Sequence, residues 1–290
     1  MRGSVSPAAA SFAASHALGR VASILRVVIL AALVLIVLIP LFWMAESSFM
    51  RKAEFGSIPT HWLPQQPDAT AYQRLVAEQH FPRYYLNSII ISAVVSVSCV
   101  FFSALTGFAL STKYTFAGKN AFFSFILATM LLPFELIMIP LYIMMRTVGI
   151  LNTYAAVIIP GLLNGFGVFL LRQAINEIPD DFLDAGRIDG AHEIVLFGRI
   201  VIPLAMPVMA ALFVFTFVGS WNSYYWPLVV INAEPLRTLT LAVAYMQGFY
   251  STDYPLVLAA AVLSSVPIML VFVFSQRFFI QSMTLSGLKG

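Results

Sequence analysis

The sequence predicts an all-α integral membrane protein with six transmembrane helices. Composition is the first reason: of 290 residues, 60% are hydrophobic and 10% are charged. A soluble domain carries about 25% charged residues. The position of the charges is the second reason, because they leave six long apolar runs between them. Each run reaches the roughly 18 to 20 residues that a helix needs to cross about 30 Å of hydrocarbon.

A transmembrane β-barrel does not fit these runs. Barrel strands need only about 10 residues each and alternate in polarity, and the runs show no such alternation. Only helices and closed barrels satisfy their backbone hydrogen bonds in lipid, so helices remain. The predicted spans lie at about 24–46, 86–112, 120–145, 153–175, 203–230 and 255–278.

The segments outside the spans follow in chain order. Residues 1–22 are rich in Ala and Ser, which predicts a mobile cytoplasmic tail before the permease domain at 23–290. The first run is too long for a signal-peptide core. Residues 47–85 are broken by four prolines and predict a periplasmic loop with short helical pieces. A second external loop at 232–255 contains Pro235 and Gly248.

Helices 2, 3 and 4 should be antiparallel neighbours, because the loops 112–120 and 146–153 that join them are short. The fourth run contains Gly161 and Gly165, a spacing that permits close helix approach. We interpret this pair as ordinary packing rather than a dedicated dimer motif.

The distribution of Lys and Arg predicts the orientation in the membrane. With both termini in the cytoplasm, ten of the 16 basic residues lie inside and six outside. The short loop 112–120 carries two lysines and no acid. These residues are spread along the chain rather than clustered on one face, so nucleic acid is not an expected partner. The single cysteine, Cys99, excludes an intrachain disulfide.

The polar loop 176–203 concentrates the acidic residues. Six of the chain's 13 acids lie between residues 177 and 193. Pro179 with Asp180 and Asp181 predicts a helix start, because acids are favoured at the positive end of a helix. Gly190 suits a chain reversal that needs positive φ. A second short helix from about Ala191 would present Ile194, Phe197 and Val201, and Pro203 would start the fifth span.

Such a helix-turn-helix at the membrane face is typical of a docking surface for another protein. Its small residues would let a partner's backbone approach closely. The alternative is an amphipathic loop lying on lipid headgroups. Because anionic lipid repels acids, the acid-rich composition favours docking.

The spacing of this loop resembles the signature loop of ABC importer permeases. That family's pattern is Glu-Ala-Ala, three residues, Gly, nine residues, Ile, one residue and Leu-Pro. Here Asp184, Ala185 and Gly186 fill the first places, and Gly190 follows at the right spacing. Ile200, Ile202 and Pro203 complete the pattern. The departures are Asp for Glu, Gly for Ala and Ile for Leu.

Further segments resemble the carbohydrate-importer class of these permeases, and the likeness runs from about residue 24 to the end. The chain looks like the second permease of a maltose-type or glycerol-phosphate-type importer. The segments are Asn87-Ser88, Gly107-Phe-Ala109, Leu132-Pro133, Ile139-Pro140, Gly149-Ile-Leu-Asn-Thr153, Trp221-Asn-Ser-Tyr-Tyr-Trp-Pro227 and Leu285-Ser-Gly-Leu-Lys-Gly290.

The resemblance implies half of a pathway for a sugar or sugar-like solute across a bacterial inner membrane. It implies four kinds of partner: lipid, a second related permease, an external solute-binding protein and a dimer of ATP-binding cassette subunits. ATP and Mg would be bound by those ATPase subunits, not by this chain. The residues implied to contact the ATPase, in what we call the coupling loop (176–203), are Asp184, Ala185, Gly186, Asp189, Gly190, Ala191, Phe197 and Pro203.

Two fragments that resemble enzyme motifs lack essential residues. His192-Glu193 resembles the start of a zinc-protease helix, but the second His would stand at Leu196, so no metal site is predicted. Gly118-Lys119 resembles a phosphate loop, but Asn120 follows it. We therefore expect a transport subunit and not an enzyme.

Six residues are candidates for the solute pathway. Glu135 lies within a transmembrane run, where an ionisable group is costly. It would either bond sugar hydroxyls, or pair with a neighbouring helix or sit at a bend between two prolines. A second group of candidates could stack on and bond sugar rings, because aromatic side chains supply an apolar face with a polar edge. We favour instead the interpretation that these residues pack near the external gate. That group is Trp221, Asn222, Tyr224, Tyr225 and Trp226.

Two other functions remain as alternatives. A permease for glycerol-3-phosphate or its diesters is one, although the six apolar runs hold no Arg or Lys to bind a phosphate. A secondary transporter acting alone is the other. It would show inverted repeats and several intramembrane acids, whereas this chain shows one such acid and no visible repeat.

Overall fold

The computed structural model describes residues 7–55, 61–247 and 252–286, with side chains from residue 22 to residue 278 in these ranges. All regular structure in these ranges is helical, which confirms the predicted all-α class. The chain divides into two compact units. One contains residues 1–72 and 254–262, and the other contains 73–253 and 263–290.

The first unit contains helix α1 (Pro7–Ser47), which begins well before the predicted span. Most of the segment predicted as a tail is therefore helical, because its alanines favour a helix. Whether it is mobile stays a prediction. The part from Ala22 to Ser47 is apolar enough to cross a membrane, and its most apolar window is not buried in the chain.

The loop after α1 ends in helix α2 (Thr70–Ala77), one of the short helical pieces that the prolines predict. Asp68 accepts hydrogen bonds from the Thr70 backbone N–H at 2.8 Å and from the Thr70 hydroxyl. These bonds lower the pKa of the Asp68 carboxyl. The Ser48 hydroxyl lies 2.7 Å from the Tyr72 hydroxyl, which ties the start of α2 to the end of α1.

The second unit is built on α3 (Phe81–Ala109), which packs against α7 (Gly165–Asn176) and α10 (Ile202–Trp221). Gly107 allows the closest approach of α3 and α7. A Cβ at this position would lie 2.9 Å from the backbone nitrogen of Arg172.

The third predicted span, 120–145, is not one helix. It consists of α4 (Lys119–Thr129) and α5 (Phe134–Val148), which meet at an angle of 101°. Pro133 explains the break, because the residue before a proline is pushed out of the α region and proline has no N–H for the ladder.

The fourth predicted span is also interrupted. Helix α6 (Tyr154–Ile158) continues as a 3₁₀ turn at Ile159–Gly161, and α7 follows with a bend of 42°. At the bend the Asn164 side chain accepts a hydrogen bond from the Gly167 backbone at 2.6 Å. This N-cap satisfies one of the free donors at the new helix start.

The fifth helix begins earlier and ends earlier than the predicted span at 203–230. Helix α9 (Glu193–Leu196) continues through a π-helical turn at Phe197–Val201 into α10 without a break. Pro203 lies inside this continuous helix and does not start it. A proline lacks the N–H for a normal helical bond, and a π turn just before it accommodates the unpaired carbonyl.

After Trp221 a short interruption precedes α11 (Tyr225–Val230). Helices α12 (Leu239–Met246) and α13 (Tyr254–Ser286) complete the described chain, and Gly248 lies outside the described residues. Four described helices can each cross a membrane, and counting each bent pair as one span raises the number to six. The count of six stays a prediction.

Candidate functional site

The first half of the coupling loop is α8 (Asp180–Ile188), which starts directly after Pro179 as the sequence predicts. Asp180 and Asp181 lie in its first turn, where the helix dipole favours acids. Leu183 is buried and fixes α8 on the helical core, which is the anchor that an amphipathic helix of this length requires.

The chain reverses at Gly190, whose φ is +80°. The Gly190 N–H donates to the Arg187 carbonyl at 3.0 Å, and the Ala191 N–H donates to the Gly186 carbonyl at 2.9 Å. This is a helix C-terminus closed by a left-handed glycine, a position that residues with a Cβ adopt at a cost.

Gly186, the third residue of the motif, brings α8 close to the following helix. A Cβ there would lie 2.5 Å from the Leu196 Cδ2 and 3.2 Å from the Ile200 Cδ1. The departure from Ala to Gly at this place therefore matches the tight packing of the two halves of the loop.

A charged network joins the two halves. Arg187 lies 3.0 Å from Asp184 and 3.2 Å from Glu193. The Tyr114 hydroxyl donates to the other oxygen of Glu193, so a residue before α4 takes part. Burial, and then the bond to Glu193, raise the pKa of the Tyr114 hydroxyl. The bond to Glu193 raises the pKa of Arg187. At neutral pH the tyrosine is therefore protonated and able to donate.

The loop 110–118 makes two further connections to the chain around α8. The Lys113 Nζ donates to the Ile178 carbonyl and to Asp180, both at 2.5 Å, and its side chain is only 5% exposed. The Asn176 side chain accepts from the Thr112 backbone N–H at 2.8 Å. The coupling loop is thus held by the loop that connects α3 to α4.

The exposed surface of the coupling loop carries large apolar residues. Ile188 is 87% exposed, and Ile194, which the sequence places on the apolar face of the second short helix, is 78% exposed. Phe197 is instead buried, with its ring 5.4 Å from the ring of Phe108. Phe197 is therefore a packing residue, and the two isoleucines are the side chains free to meet a partner.

The other ATPase-contact candidates take two kinds of position. Asp184, Ala185 and Asp189 are exposed on α8 and at its end, next to Ile188. Pro203 is also exposed, but it lies in the continuous helix beyond the π turn. Among the described residues no group of His, Cys, Asp and Glu could hold a metal ion.

A pocket of about 380 Å³, which we call the central pocket, opens in the second unit. Its wall holds no charged residue, and it combines aromatic rings with hydroxyl and amide side chains. The wall consists of Val95, Phe134, Val157, Pro160, Gly161, Asn164, Phe166, Phe215, Thr216, Gly219, Ser220, Ser223 and Trp226.

Of the six pathway candidates from the sequence, Trp226 lines the central pocket and the other five do not. Trp221 is buried, and its Nε1 donates to the Ser264 carbonyl at 3.1 Å. Its place near the external gate stays a prediction. Glu135 is exposed in the first turn of α5, beside the break at Pro133, and no described residue pairs with it. Whether Glu135 bonds the solute, pairs with another helix or sits at a bend stays a prediction.

Asn222 and Tyr225 are exposed near the interruption after α10, and Tyr224 is half-buried. The other pocket residues could not be recognised from the sequence, because they come from separate helices. The available signal was the occurrence of Asn164, Ser220 and Ser223 in otherwise apolar runs.

One other motif segment, Asn87-Ser88, has a structural role. The Asn87 side chain donates to the carbonyls of Pro235 and Arg237, and the Ser88 hydroxyl accepts from the Leu239 backbone at 2.7 Å. These bonds fix the chain before α12 on the start of α3.

Comparisons with known proteins agree with this architecture. The family model for binding-protein-dependent transport system inner membrane components matches residues 100–285. The arabinooligosaccharides transport system permease protein AraQ of Halalkalibacterium halodurans is 39% identical over 207 residues, which cover 71% of this chain and 74% of AraQ. The sn-glycerol-3-phosphate transport system permease protein UgpE of Rhizobium meliloti is 29% identical over 259 residues, 86% of this chain and 92% of UgpE.

A solved structure is also similar. It is a chain of a bacterial ABC transporter involved in the import of the acidic polysaccharide alginate, with a TM-score of 0.79 and 26% sequence identity. The match covers 90% of this chain and 97% of that chain.

Proposed function

The chain belongs to the family of binding-protein-dependent transport system inner membrane components, and we propose that its coupling loop docks on an ATPase that drives sugar import. It is a multi-pass membrane transport subunit rather than an enzyme. In the proposal it forms half of the solute pathway in a bacterial inner membrane. A second permease forms the other half, an external binding protein delivers the solute, and partner ATPase subunits bind ATP and Mg.

The exposure of Ile188 carries the proposal for the coupling loop. An isoleucine that is 87% exposed at the end of a polar helix is a favourable contact for another protein, because its burial removes apolar surface from water. The charged residues around it form a polar rim, as in a typical interface. The Gly190 reversal and the Arg187 network hold this surface in one shape.

The contacts of the loop also suggest how a movement of the ATPase would reach the spans. Helix α9 is continuous with α10, so a displacement of the loop passes into the fifth helix without a hinge. Lys113 and Tyr114 connect the loop to the chain between α3 and α4. Closure of the ATPase dimer would therefore shift several spans together, and ATP would bias one of two states of the pathway.

Orientation follows from the same proposal. The coupling loop must face the cytoplasm to meet an ATPase, and both termini then lie on that side if six spans are present. The excess of Lys and Arg in the same compartment supports this orientation.

A sugar or sugar-like solute is the favoured cargo. AraQ is named as a permease for arabinooligosaccharides, and the wall of the central pocket holds no charged residue. The name of UgpE supports glycerol-3-phosphate as a second candidate. A phosphate dianion usually recruits Arg or Lys, and the pocket wall offers neither.

The test is co-purification of the full importer, with both permeases, the ATPase and the binding protein expressed together. We expect Ile188→Asp to reduce the bound ATPase at least tenfold, because a charge would be buried in the contact. Trp62→Asp is the matched control, since Trp62 is 69% exposed in the loop after α1. It should keep the ATPase bound. Full ATPase binding by Ile188→Asp, or none by the unmodified importer, would contradict the proposal.

A further inference from the structure

Three interrupted helices meet at the central pocket. Phe134 is the first residue after the break between α4 and α5, and Asn164 lies in the break before α7. Ser223 lies in the break between α10 and α11. Each break leaves backbone N–H and C=O groups outside a helical ladder, and all three breaks contribute to one wall.

Such breaks are informative at membrane depth. Irregular backbone within the hydrocarbon region is tolerated only where it is buried in protein or lines a water-filled cavity. Helix α3 has 29 residues, and its middle residue, Val95, forms part of the pocket wall. If α3 crosses the membrane, the pocket lies close to the membrane centre. The breaks are therefore expected to face protein or a hydrated cavity, and not lipid.

The side chains of the wall have the chemistry of carbohydrate recognition. The hydroxyls of Ser220 and Ser223 have no hydrogen-bond partner in the described part of the chain, so they can bond a ligand. The rings of Phe134 and Trp226 meet edge to face at 5.8 Å and give the same wall an apolar aromatic surface. A sugar ring presents an apolar face and hydroxyls at its edge, and an aromatic surface beside hydroxyl groups complements both.

Two other polar side chains are fixed in the wall. The Asn164 amide donates to the Cys99 sulfur at 3.3 Å, and the Thr216 hydroxyl lies 3.9 Å from the same atom. Cys99 itself is fully buried behind the wall. Asn164 and Thr216 are thereby oriented in advance, which reduces the entropy lost when a ligand binds.

From these observations we propose that the central pocket is a solute-binding subsite of this subunit, and that it takes one neutral, hydroxyl-rich sugar ring. The inference rests on the proposed importer function and assigns to this chain a direct contact with the cargo. A volume of about 380 Å³ lies in the range of small-ligand sites and leaves no room for a long oligosaccharide. A longer cargo would therefore pass ring by ring.

Gly219 offers a direct way to fill the pocket. It lies in the wall, and a Cβ at this position meets nothing within 4 Å. Gly219→Leu should therefore place its side chain in the cavity without a clash in the fold. Val218→Leu is the matched control, because it adds apolar bulk at the neighbouring position of α10, which does not line the pocket.

The experiment uses the complete importer in lipid vesicles with arabinotriose, maltose and sn-glycerol-3-phosphate as probes. The unmodified importer should take up at least one of the two sugars when ATP is supplied. Gly219→Leu should reduce that uptake at least tenfold and keep the ATPase and the partner permease bound, and Val218→Leu should leave uptake within twofold. Ser220→Ala combined with Ser223→Ala should raise the KM for sugar about threefold to tenfold through lost hydrogen bonds.

Several results would overturn the inference. Unchanged uptake by Gly219→Leu would show that the pocket is not on the pathway. Loss of the partner permease from that variant would show that the pocket is filled by the other subunit. Uptake of sn-glycerol-3-phosphate without either sugar would contradict the neutral-sugar class and leave the importer function intact. Failure of the unmodified chain to bind an ATPase would instead contradict the proposed function.

Discussion

The coupling loop and the central pocket differ in how their polar side chains are hydrogen-bonded. In the loop Arg187 and Tyr114 both bond Glu193, and Ile188 and Ile194 are exposed. In the pocket the wall carries no charge, and the hydroxyls of Ser220 and Ser223 have no hydrogen-bond partner among the described residues. A surface that docks a protein needs a fixed shape, whereas a surface that passes a solute needs weak and exchangeable bonds. The difference indicates that coupling and solute contact are separated within one subunit.

Of the changes considered, replacement of Gly190 should have the largest effect on the coupling of ATP hydrolysis to uptake. Gly190→Val forces a branched residue to φ +80°, at a cost of roughly 1–3 kcal/mol or a local change of shape. No neighbouring atom would lie within 4 Å of the new Cβ, so strain and not a clash is tested. We expect at least a tenfold loss of ATP-driven uptake with normal membrane insertion.

Gly149→Val is the matched control for this prediction. Gly149 has φ +77°, an equally open surrounding and a place in the loop after α5, outside the coupling loop. It should cost similar stability and keep the ATPase stimulated by loaded binding protein. Equal loss of coupling in both variants would show that strain alone, and not the position, is responsible.

Two lysines, Lys113 in the loop 110–118 and Lys119 at the start of α4, test the comparison with a smaller effect. Lys113 donates to the Ile178 carbonyl and to Asp180, whereas Lys119 donates to the Ser111 and Tyr114 carbonyls in the loop just before α4. Lys113→Met should lower the number of solute molecules imported per ATP about threefold, because it leaves a buried carbonyl unpaired. Lys119→Met should change this ratio less than Lys113→Met. The same ratio in both variants would exclude Lys113 as a positioning residue.

Much of the coupling loop could be predicted from the sequence, because its signals are local. Pro179 with two acids starts α8, and Gly190 reverses the chain with positive φ. Both depend on residues adjacent in sequence. The continuity of α9 with α10 could not be predicted in this way, because Pro203 is a common helix start and the π turn that accommodates it is a property of the packed helix.

The central pocket could not be predicted, because it is assembled from α3, α5, α6, α7, α10 and α11 together with the turns beside them. Residue type alone selected both Trp221 and Trp226, but the Trp221 indole donates to the Ser264 carbonyl and is buried. Trp226, five positions later, faces the pocket. Which of two nearby tryptophans lines a cavity depends on the helix break between them, and the apolar run does not reveal that break.

The separation of the two surfaces can be measured by thiol labelling of two single-cysteine variants in the complete importer. Ile188→Cys and Ser223→Cys are made in a Cys99→Ala background and treated with a small thiol reagent in opened membrane vesicles. The account predicts that bound ATPase protects position 188 and sugar does not, and that sugar protects position 223 when the ATPase is absent. Protection of position 188 by sugar alone, or no protection of position 223 at saturating sugar, would contradict it.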